Sequence, residues 1–541
     1  MHLIRFIFLI PLCSADTAPN VVVIVADDLG YNDVSWHNPD IISPNMEKLA
    51  KGGIILENHY VSLCSASRSA LLTGYHPIHT GMQHTAINSQ QPTGLYTNFT
   101  LMSEYFHDIG YKTHMVGKWH LGLCHEDYLP LKRGFETFYG FYIGAENYYS
   151  HFHPGKVGDT RHYGYDFRDQ DEPDYSAIGT YSTKLFADRA VKIIEDHVEI
   201  HCNDYSMIGS CHPMFLFLPF QSVHKPISEA PSEYSDLYPN IKKESRRIYS
   251  GMVSAMDDAI GTVVDKLNST ALLDNTIIIF LSDNGAHAYL GGNNYPLRGN
   301  KNTLWEGGTK SVSFIYSKML ENRGTTNYEL FSVTDWLPTL LTAVKKGLSL
   351  YDQSKVEQFL SKEWDGIDQW GMLTGNEANK RSEILYNIDP LYLDSEDAIT
   401  LANTLTGKAQ VLGHGAIRIG DLKLMVGNPG SLDGHYPPEF DASSLKGYKN
   451  FVSDLCTGYE MIPGPPYIFR GWPTYLFDLK NDPLECFNIA RDNPDVVDKM
   501  LERYKEHEST MIPPFTADQV DEGNPIFFNG TWSPGWCESK P

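Results

Sequence analysis

Short apolar runs alternate with helical stretches along the first two-thirds of the chain. Asn20–Ala26 (NVVVIVA) is a continuous apolar run, whereas Tyr181–His197 and Arg246–Asn268 repeat apolar residues with a helical period. Further strand-like runs occupy Tyr111–Val116, Met214–Phe220, Thr276–Leu281 and Ser311–Tyr316, and Ser43-Pro44 predicts a helix start, with Ser43 as N-cap, that ends at Gly52-Gly53. Apolar strands between helices predict a large α/β sheet, mostly parallel, with helices on both faces.

The chain changes in character after about residue 373. Between Thr374 and Gly415, Gly, Asn, Pro and Asp recur, and little regular structure is predicted. Later elements are predicted as a hairpin over Ala416–Val426, a strand over Thr474–Leu479 and a helix over Asp495–His507. We therefore predict an α/β domain over residues 19–375 and a smaller α+β domain with an antiparallel sheet over residues 376–541.

The first residues have the composition of a secretory signal peptide. Arg5 precedes the apolar run Phe6–Leu12, and Ser14 and Ala15 follow, which predicts cleavage near residue 15. The alternative is a buried N-terminal strand, but the polar segment that begins at Asp16 favours the signal. No later run reaches the ~18 apolar residues of a transmembrane helix. We expect a lysosomal or secreted glycoprotein, with sequons at Asn98, Asn268 and Asn529.

Cysteine number and net charge add two constraints. Of the eight cysteines, Cys13 leaves with the signal peptide, so an odd number remains in an oxidising compartment. Six can form three disulfides, and Cys202 and Cys211 are close enough in sequence to close a loop, while the other pairings stay open. Lys+Arg total 43 and Asp+Glu 67, a formal net charge of −24 that disfavours nucleic acid as a partner. An anionic substrate therefore needs a locally positive pocket.

Two oxygen-rich pairs directly follow predicted buried strands. Asp27-Asp28 comes after the first strand and Asp283-Asn284 after Thr276–Leu281. In open α/β sheets, ligands bind beyond the carboxyl ends of the strands. A single pair of this kind is more often a solvated turn, but two pairs predict a divalent-cation site. The large number of oxygen ligands favours calcium over magnesium.

Cys64 begins the run CSASRSALLTG, which predicts a helix that ends at Gly74. A helix N-terminus favours an anion, and Arg68 lies one turn further on the same side. The set suits attack on an anionic ester, although a buried structural thiol is the commoner role of a lone cysteine.

Two histidines and two lysines extend this set of candidate residues. Lys118 and His120 are two apart on an extended segment and share a face, and His224 and Lys301 add another base and cation. Each of these residues has the alternative of an ordinary surface or core position.

Several stretches taken together resemble one family, from about Pro19 to about Ala490. They are VVVIVADDLGYNDVSWH, LCSASRSALLTG, THMVGKWHLG, LKRGFETFYGF, QSVHKP, SDNGAHAYLGGNNYPLRGNKNTLWEGG and SVTDWLPTL. The chain is similar to the sulfatase family of the alkaline-phosphatase superfamily, and within it to the arylsulfatase B-like enzymes. The resemblance implies an alkaline-phosphatase-like fold and hydrolysis of a sulfuric ester.

The resemblance also implies a role for each candidate residue. Cys64 is oxidised to formylglycine by the formylglycine-generating enzyme, and the hydrated aldehyde is the nucleophile that takes up the sulfate and then releases it. One calcium ion is held by Asp27, Asp28, residue 64, Asp283 and Asn284. By the same resemblance, Arg68 orients the nucleophile, and Lys118 and Lys301 bind the sulfate. His120 is the base for the elimination step, and His224 with Lys301 protonates the leaving oxygen.

Two positions depart from the family pattern. Ala66 replaces the usual proline, and Tyr75 replaces the usual arginine after Leu-Thr-Gly. Both belong to the segment that the formylglycine-generating enzyme reads. Alanine occurs at the first position in parts of the family, so conversion is still expected.

The substrate stays open between a sulfated sugar or glycosaminoglycan and a small-molecule sulfate such as a glucosinolate. Specificity is expected in loops around the site, including Gly140–Asp174, which is rich in Tyr and His. One alternative is a phosphatase or phosphonate ester hydrolase of the same superfamily, and another is a non-catalytic protein that binds sulfated glycans. The filled metal and catalytic positions favour a sulfatase over both.

Overall fold

The structure is a computed structural model that describes residues 17–202, 211–227, 230–392, 413–430, 433–438, 454–456, 467–469 and 472–540. The predicted signal peptide, residues 1–15, lies outside the described residues. Within those ranges, ten strands form one mixed sheet, five form an antiparallel sheet and two form a separate hairpin. None of the described helices has the length and apolar character needed to cross a membrane.

The centre of the large sheet is parallel. β1 (Asn20–Ala26) pairs with β10 (Thr276–Ser282) on one side and with β9 (Met214–Pro219) on the other. β3 (Lys112–Lys118) and β4 (Thr137–Phe141) continue this parallel part beyond β9. Every residue of β1, β9 and β10 is buried, because these strands pack between helices and need no polar face. The predicted mixed, mostly parallel α/β sheet is confirmed.

Outer strands extend the sheet on both sides of this centre. They are β11 (Ser313–Tyr316), β2 (Ile54–Tyr60) and β12 (Thr325–Ser332) beyond β10, and β7 (Arg168–Asp169) and β8 (Glu172–Pro173) beyond β4. β11 confirms the strand predicted over Ser311–Tyr316 and runs antiparallel to β10, which makes the sheet mixed. The connection between β10 and β11 contains only short helical turns, Ala288–Leu290 and α8 (Glu306–Thr309), and no long helix crosses the sheet face to allow a parallel return.

Two long helices pack against each other beside the large sheet. α5 (Ser182–His201) and α7 (Glu244–Ser269) confirm both predicted helical segments, and each is slightly longer than the pattern indicated. The shorter helices are α1 (Pro44–Gly52), α2 (Cys64–Thr73), α3 (Pro77–Thr80), α4 (Met102–Asp108), α6 (Ser232–Ser235), α9 (Trp336–Lys345), α10 (Leu350–Leu360) and α11 (Trp370–Leu373). Ser43 is at the N-cap position of α1 as predicted, but its side chain makes no cap hydrogen bond. Instead, the Asp257 carboxylate of α7 accepts from the backbone N–H groups of Asn45 (3.0 Å) and Met46 (2.7 Å).

The second sheet is antiparallel, as predicted for the smaller domain. Its strands are β13 (Glu383–Asp389), β14 (His414–Ile419), β15 (Leu422–Gly427), β16 (Tyr467–Phe469) and β17 (Trp472–Asp478), and α12 (Pro494–Thr510) packs against it. The strand β13 contradicts the prediction of little regular structure between Thr374 and Gly415. Both faces of β13 are buried, since Ile384 and Tyr386 pack in one apolar cluster while Leu385 and Ile388 pack in another.

Polar and covalent contacts join the second sheet and the C-terminal segment to the large sheet. Lys423 of β15 lies between the carboxylates of Glu306 (2.9 Å) and Glu485 (2.8 Å). Trp532, near the C-terminus, is fully buried in the core of the large sheet. The division predicted near residue 375 stays a prediction.

Three disulfides pair six cysteines, and Cys64 is free and buried. The expected count of three disulfides and one unpaired thiol is therefore confirmed. The Cys202–Cys211 bond is the predicted loop closure. The other two, Cys124–Cys537 and Cys456–Cys486, join residues 413 and 30 positions apart, which no sequence pattern indicated.

Candidate active site

Two acidic pairs meet at the carboxyl edge of the large sheet. Ala26 and Ser282 are register partners at the ends of the parallel strands β1 and β10, so Asp27 and Asp283 begin the next segments side by side. The backbone N–H of Asp28 donates to Asp283 Oδ1 (3.3 Å). Because β1 and β10 are parallel neighbours that end at the same edge of the sheet, the predicted metal ligands that follow them lie together.

The amide of Asn284 connects these carboxylates to Cys64. Its Nδ2 donates to Asp28 Oδ1 (2.7 Å), and its Oδ1 accepts from both the backbone N–H and the thiol of Cys64 (3.0 Å each). Cys64 is the first residue of α2, and Gly74 ends that helix with φ +73°, as the sequence predicted. Burial raises the pKa of the Cys64 thiol to about 12, so the group is a neutral thiol at physiological pH.

Three buried cations compensate three buried carboxylates. Lys118 Nζ lies 2.5 Å from Asp27 Oδ2, Lys301 donates to Asp28, and Arg68 Nη2 donates to Asp283 Oδ2 (2.9 Å). Burial alone raises the pKa of Asp28, but Lys301 and His224 hold the pKa of Asp28 well below its usual value. For Asp283 burial prevails, and its pKa is raised above the ordinary value with a contribution from Asp27.

Backbone carbonyl groups fix the tautomers of both candidate histidines. His120 donates from Nε2 to the Ile87 carbonyl (3.0 Å), which leaves Nδ1 buried without a hydrogen-bond partner. His224 donates from Nδ1 to the Lys225 carbonyl (2.9 Å), and its Nε2 lies 3.7 Å from Asp28 Oδ2. Burial lowers the pKa of His224 to about 3 and lowers the pKa of His120 well below its usual value, with Lys118 adding to the effect on His120. Each ring therefore presents an unprotonated nitrogen.

Two further residues of the site were not singled out in the sequence. His287 lines the same cavity, and its Nδ1 accepts from the Asn300 amide (3.2 Å). It lies three residues after Asn284 within one of the quoted motifs, which was the available signal. Gly144 lies against His120, and a Cβ at that position would come within 2.8 Å of its Nε2. A side chain there would displace the His120 ring.

The carboxylate group has the chemistry of a hard-cation site. The ligand atoms of Asp27, Asp28, Cys64 and Asp283 all lie within 4.8 Å of one another. Asp27 Oδ1 is buried and has no hydrogen-bond partner, so one charged oxygen of this set is left unsatisfied. Oxygen donors at this spacing suit calcium or magnesium rather than zinc.

A cavity of about 1020 Å³ opens above Cys64 and is lined by His120, His224 and Lys301. Lys118, Arg68 and the carboxylates lie beneath its floor, fully or almost fully buried. The structure thus brings together every residue predicted for the metal and catalytic sets. Their roles stay predictions.

Comparison with known proteins identifies relatives along almost the whole chain. The family model described as "Sulfatase" matches residues 19–346. Arylsulfatase J of Mus musculus is 34% identical over 97% of this chain and 82% of its own. Arylsulfatase A of Homo sapiens is 28% identical over 97% of this chain and 94% of its own. N-acetylgalactosamine-6-sulfatase of Homo sapiens is 28% identical over 61% of this chain and 62% of its own.

Solved structures share the same fold at lower identity. A crystal structure of Ps i-CgsB in complex with k-i-k-neocarrahexaose has a TM-score of 0.68 at 24% identity, covering 94% of this chain and 97% of that one. A phosphonate monoester hydrolase of Agrobacterium radiobacter has a TM-score of 0.56 at 17% identity, covering 91% and 96%. These two similarities concern the fold alone.

Proposed function

Because the chain belongs to the sulfatase family and is a sulfuric ester hydrolase, we propose that it works through a formylglycine formed from Cys64 beside a bound calcium ion. The observation that carries this proposal is the convergence of Cys64 with three carboxylates and three cations in one buried cluster. A neutral thiol with a pKa of about 12 is a weak nucleophile, which supports modification rather than direct use of the cysteine.

Formylglycine, once formed and hydrated, supplies an oxygen nucleophile at the N-terminus of α2. The position supports this role, because N-terminal N–H groups and the helix dipole favour negative charge. Ala66 lies in the first turn of the helix, where the backbone N–H has no partner within the helix. A proline at this position therefore costs the helix no backbone hydrogen bond relative to alanine. Tyr75, the second departure, donates its hydroxyl to the Glu363 carbonyl (3.0 Å) outside the cluster.

The charges of the cluster support a divalent cation and an anionic substrate. Asp27, Asp28 and Asp283 are balanced by the three basic residues that contact them. A bound calcium ion, with Asn284 and residue 64 as further ligands, supplies Lewis acidity and makes the site net positive. That excess of positive charge suits a sulfate ester, in a protein whose overall charge is −24.

Each basic residue has a role that its contacts support. Arg68 donates hydrogen bonds to Asp283 and to the Lys118 carbonyl (3.0 Å), and these bonds hold its guanidinium in one position. From that position Arg68 orients residue 64. Lys118 and Lys301 bind sulfate oxygens and stabilise the charge that develops on them. His120, with its free Nδ1, accepts a proton from the hydrated residue 64. His224 with Lys301 delivers a proton to the leaving oxygen, and His224 does so in its protonated form, which the negative charge of a bound sulfate ester favours.

The proposed substrate is a sulfated sugar, free or within a glycosaminoglycan, and a small sulfate such as a glucosinolate is the alternative. At about 1020 Å³ the cavity is at the upper end for small-molecule sites, which run to about 1,000 Å³. A phosphomonoesterase of the zinc type is disfavoured, since the metal group found among the described residues at this site contains no histidine.

The proposed compartment is the secretory pathway, with the mature protein lysosomal or secreted. Three disulfides favour an oxidising compartment. The sequon residues Asn98, Asn268 and Asn529 are all exposed, as glycosylation requires. The signal peptide rests on the sequence alone.

The experiment combines mass spectrometry of residue 64 with turnover of 4-nitrophenyl sulfate by protein purified from a eukaryotic secretory host. We expect the peptide to carry the aldehyde in place of the thiol and the protein to release nitrophenol. Cys64→Ala is expected to fold and to be inactive, because Cys64 forms no disulfide. Full activity with an unmodified cysteine contradicts the proposal.

A further inference from the structure

The cavity above Cys64 collects positive charge in an acidic protein. The chain has 67 Asp and Glu residues, yet none of the described residues that line this cavity is acidic. Lysine or arginine lines it at four positions, Lys156, Arg161, Lys225 and Lys301, together with six histidines. Such a distribution raises the local concentration of anions against the field of the whole protein.

Two of these cations lie far from the catalytic cluster along the chain and belong to a β-hairpin. β5 (Phe152–Val157) and β6 (Thr160–Tyr165) form this hairpin, inside the segment expected to govern specificity. Lys156 and Arg161 are register partners, directly opposite each other. Opposite residues of an antiparallel pair have Cβ atoms about 4.5–5.5 Å apart, and like charges at that distance destabilise the hairpin. An anion held between the two side chains removes that repulsion.

The carboxylates of the described residues do little to compensate this pair. Asp159 at the hairpin turn lies 3.9 Å from Lys156 Nζ, and both side chains are largely exposed. Ion pairs of this exposed kind contribute little. No described carboxylate pairs with Arg161. The cross-strand pair therefore remains available to an anion from solution.

Aromatic side chains share the face of the hairpin that carries the two cations. Because side chains alternate along a strand, Phe152 and Lys156 of β5 lie on one face with Arg161 and Tyr163 of β6. Phe152 is 40% exposed and Tyr163 61% exposed. Exposed aromatic rings with an apolar body and fixed cations suit a polar chain that carries anionic groups.

The opposite face of the hairpin is packed on the core. A Cβ added to Gly155 would come within 2.4 Å of the Trp532 ring, and one added to Gly164 within 2.6 Å of Pro525. His162, on this same face, hydrogen-bonds Gln90 Oε1 through Nδ1 (3.0 Å). The cationic face is therefore held in a fixed position at the cavity mouth.

We propose that this face of the hairpin is a second anion subsite, which binds a carboxylate or a second sulfate on a neighbouring unit of an anionic sugar chain. The scissile sulfate occupies the cavity floor, so the inference rests on the proposed function and defines its substrate class. Lys156 and Arg161 determine specificity, and they touch no reacting atom.

The experiment compares Lys156→Gln/Arg161→Gln with the parent on three sulfated disaccharides and on 4-nitrophenyl sulfate. The first disaccharide has a uronate next to the sulfated unit, the second is its carboxyl-reduced form, and the third is a disulfated form. A matched control, Arg323→Gln/Lys480→Gln, removes the same charge from exposed residues that do not line the cavity.

We expect the parent to prefer a dianionic disaccharide over the carboxyl-reduced one. In the hairpin variant this preference in kcat/KM falls about 5- to 10-fold, mainly through KM, because two exposed charge contacts are lost. The control variant keeps the preference of the parent. The dianionic substrate that shows the larger loss identifies the bound anion as a carboxylate or a sulfate.

Two results overturn the subsite: a parent without preference for dianionic substrates, or a hairpin variant with the same preference as the parent. Unfolding temperatures equal to that of the parent exclude misfolding as a cause of any loss, since both replaced side chains are exposed. Failure of the proposed function gives a different result, because the parent then hydrolyses neither 4-nitrophenyl sulfate nor any disaccharide.

Discussion

Arg68 and Asp283 form a buried ion pair in which one carboxylate oxygen accepts from both Nε (3.2 Å) and Nη2 (2.9 Å) of the guanidinium. Both side chains are 1% exposed, so neither charge has water as an alternative partner. The pair fixes Asp283 beside Asp27 and fixes Arg68 one helical turn below Cys64.

The first prediction follows from this pair. Arg68→Met leaves the Asp283 carboxylate buried and unpaired, and we expect the free energy of unfolding to fall by about 3–5 kcal/mol. Arg68→Lys restores the charge without the planar fork and should lose less. Urea unfolding in the presence of EDTA measures both changes. A midpoint for Arg68→Met equal to that of the parent shows that the pair contributes nothing to stability.

The second prediction concerns the metal. Added calcium should raise the unfolding temperature of the EDTA-treated parent, because ligand at 100 times its Kd adds about 2.7 kcal/mol. Asp283→Asn should abolish this shift. Asp335→Asn, at a buried pair with Arg381 elsewhere, should lower the unfolding temperature but keep the shift. Equal shifts in both variants place the calcium outside the proposed site.

The third prediction concerns proton transfer. His120→Gln and His224→Gln should each lower kcat on an aryl sulfate by about 10²–10⁴-fold, the range for loss of a general acid or base. His107→Gln is the control, since His107 is exposed on α4 and does not line the cavity. Full kcat after His120→Gln at every pH removes His120 from the reaction.

The fourth prediction is a pH dependence of stability. His59 is buried, its Nε2 accepts from the Trp336 indole (2.9 Å), and burial lowers its pKa to about 3. Because the folded pKa lies below the unfolded value, the neutral ring's contribution is complete above about pH 6.5 and is lost as the pH falls towards 3.

His59→Gln keeps a hydrogen-bond acceptor but cannot titrate. The parent should therefore lose unfolding free energy relative to this variant by roughly 1.4 kcal/mol per pH unit between about pH 6 and 4. Denaturant titrations at several pH values measure the difference. A difference that is constant from pH 7 to 4 contradicts the assignment.

The fifth prediction tests the buried contacts of Lys423 in the second sheet with Glu306 of α8 and with Glu485. Lys423→Met leaves Glu306 and Glu485 buried against each other, and we expect a loss of about 3–5 kcal/mol in unfolding free energy. Adding Glu485→Gln removes one of the two unpaired charges and should recover part of the loss. If the double variant is no more stable than Lys423→Met, repulsion between the carboxylates is not the cause.

Local sequence patterns determined the elements that hold most of the site. The apolar run of β1 and the helical run after Cys64 needed no tertiary information, because hydrophobic period and the glycine at position 74 define them. The acidic pairs were recognisable as candidate metal ligands because each directly follows a buried strand. Every predicted site residue lies in the resulting cluster.

Other features depended on contacts between segments that are distant in the chain. β13 (EILYNID) was not recognised because Glu383, Asn387 and Asp389 leave it without the continuous apolar run of β1, and because its covered faces leave no regular polar alternation. The direction of β11 depends on how the 283–312 connection runs, and the pairing of Cys124 with Cys537 on where the C-terminus returns.

The site shows the same division. The residue types at positions 27, 28, 64, 283 and 284 are a property of the sequence, and they determine which candidate metal ligands and which candidate nucleophile are available. Only the tertiary structure decided that Lys118, Lys301 and Arg68 each compensate a different carboxylate, and that Lys156 faces Arg161 at the cavity mouth. Charges in a buried cluster interact over a few ångströms, and sequence spacing does not determine distances between segments.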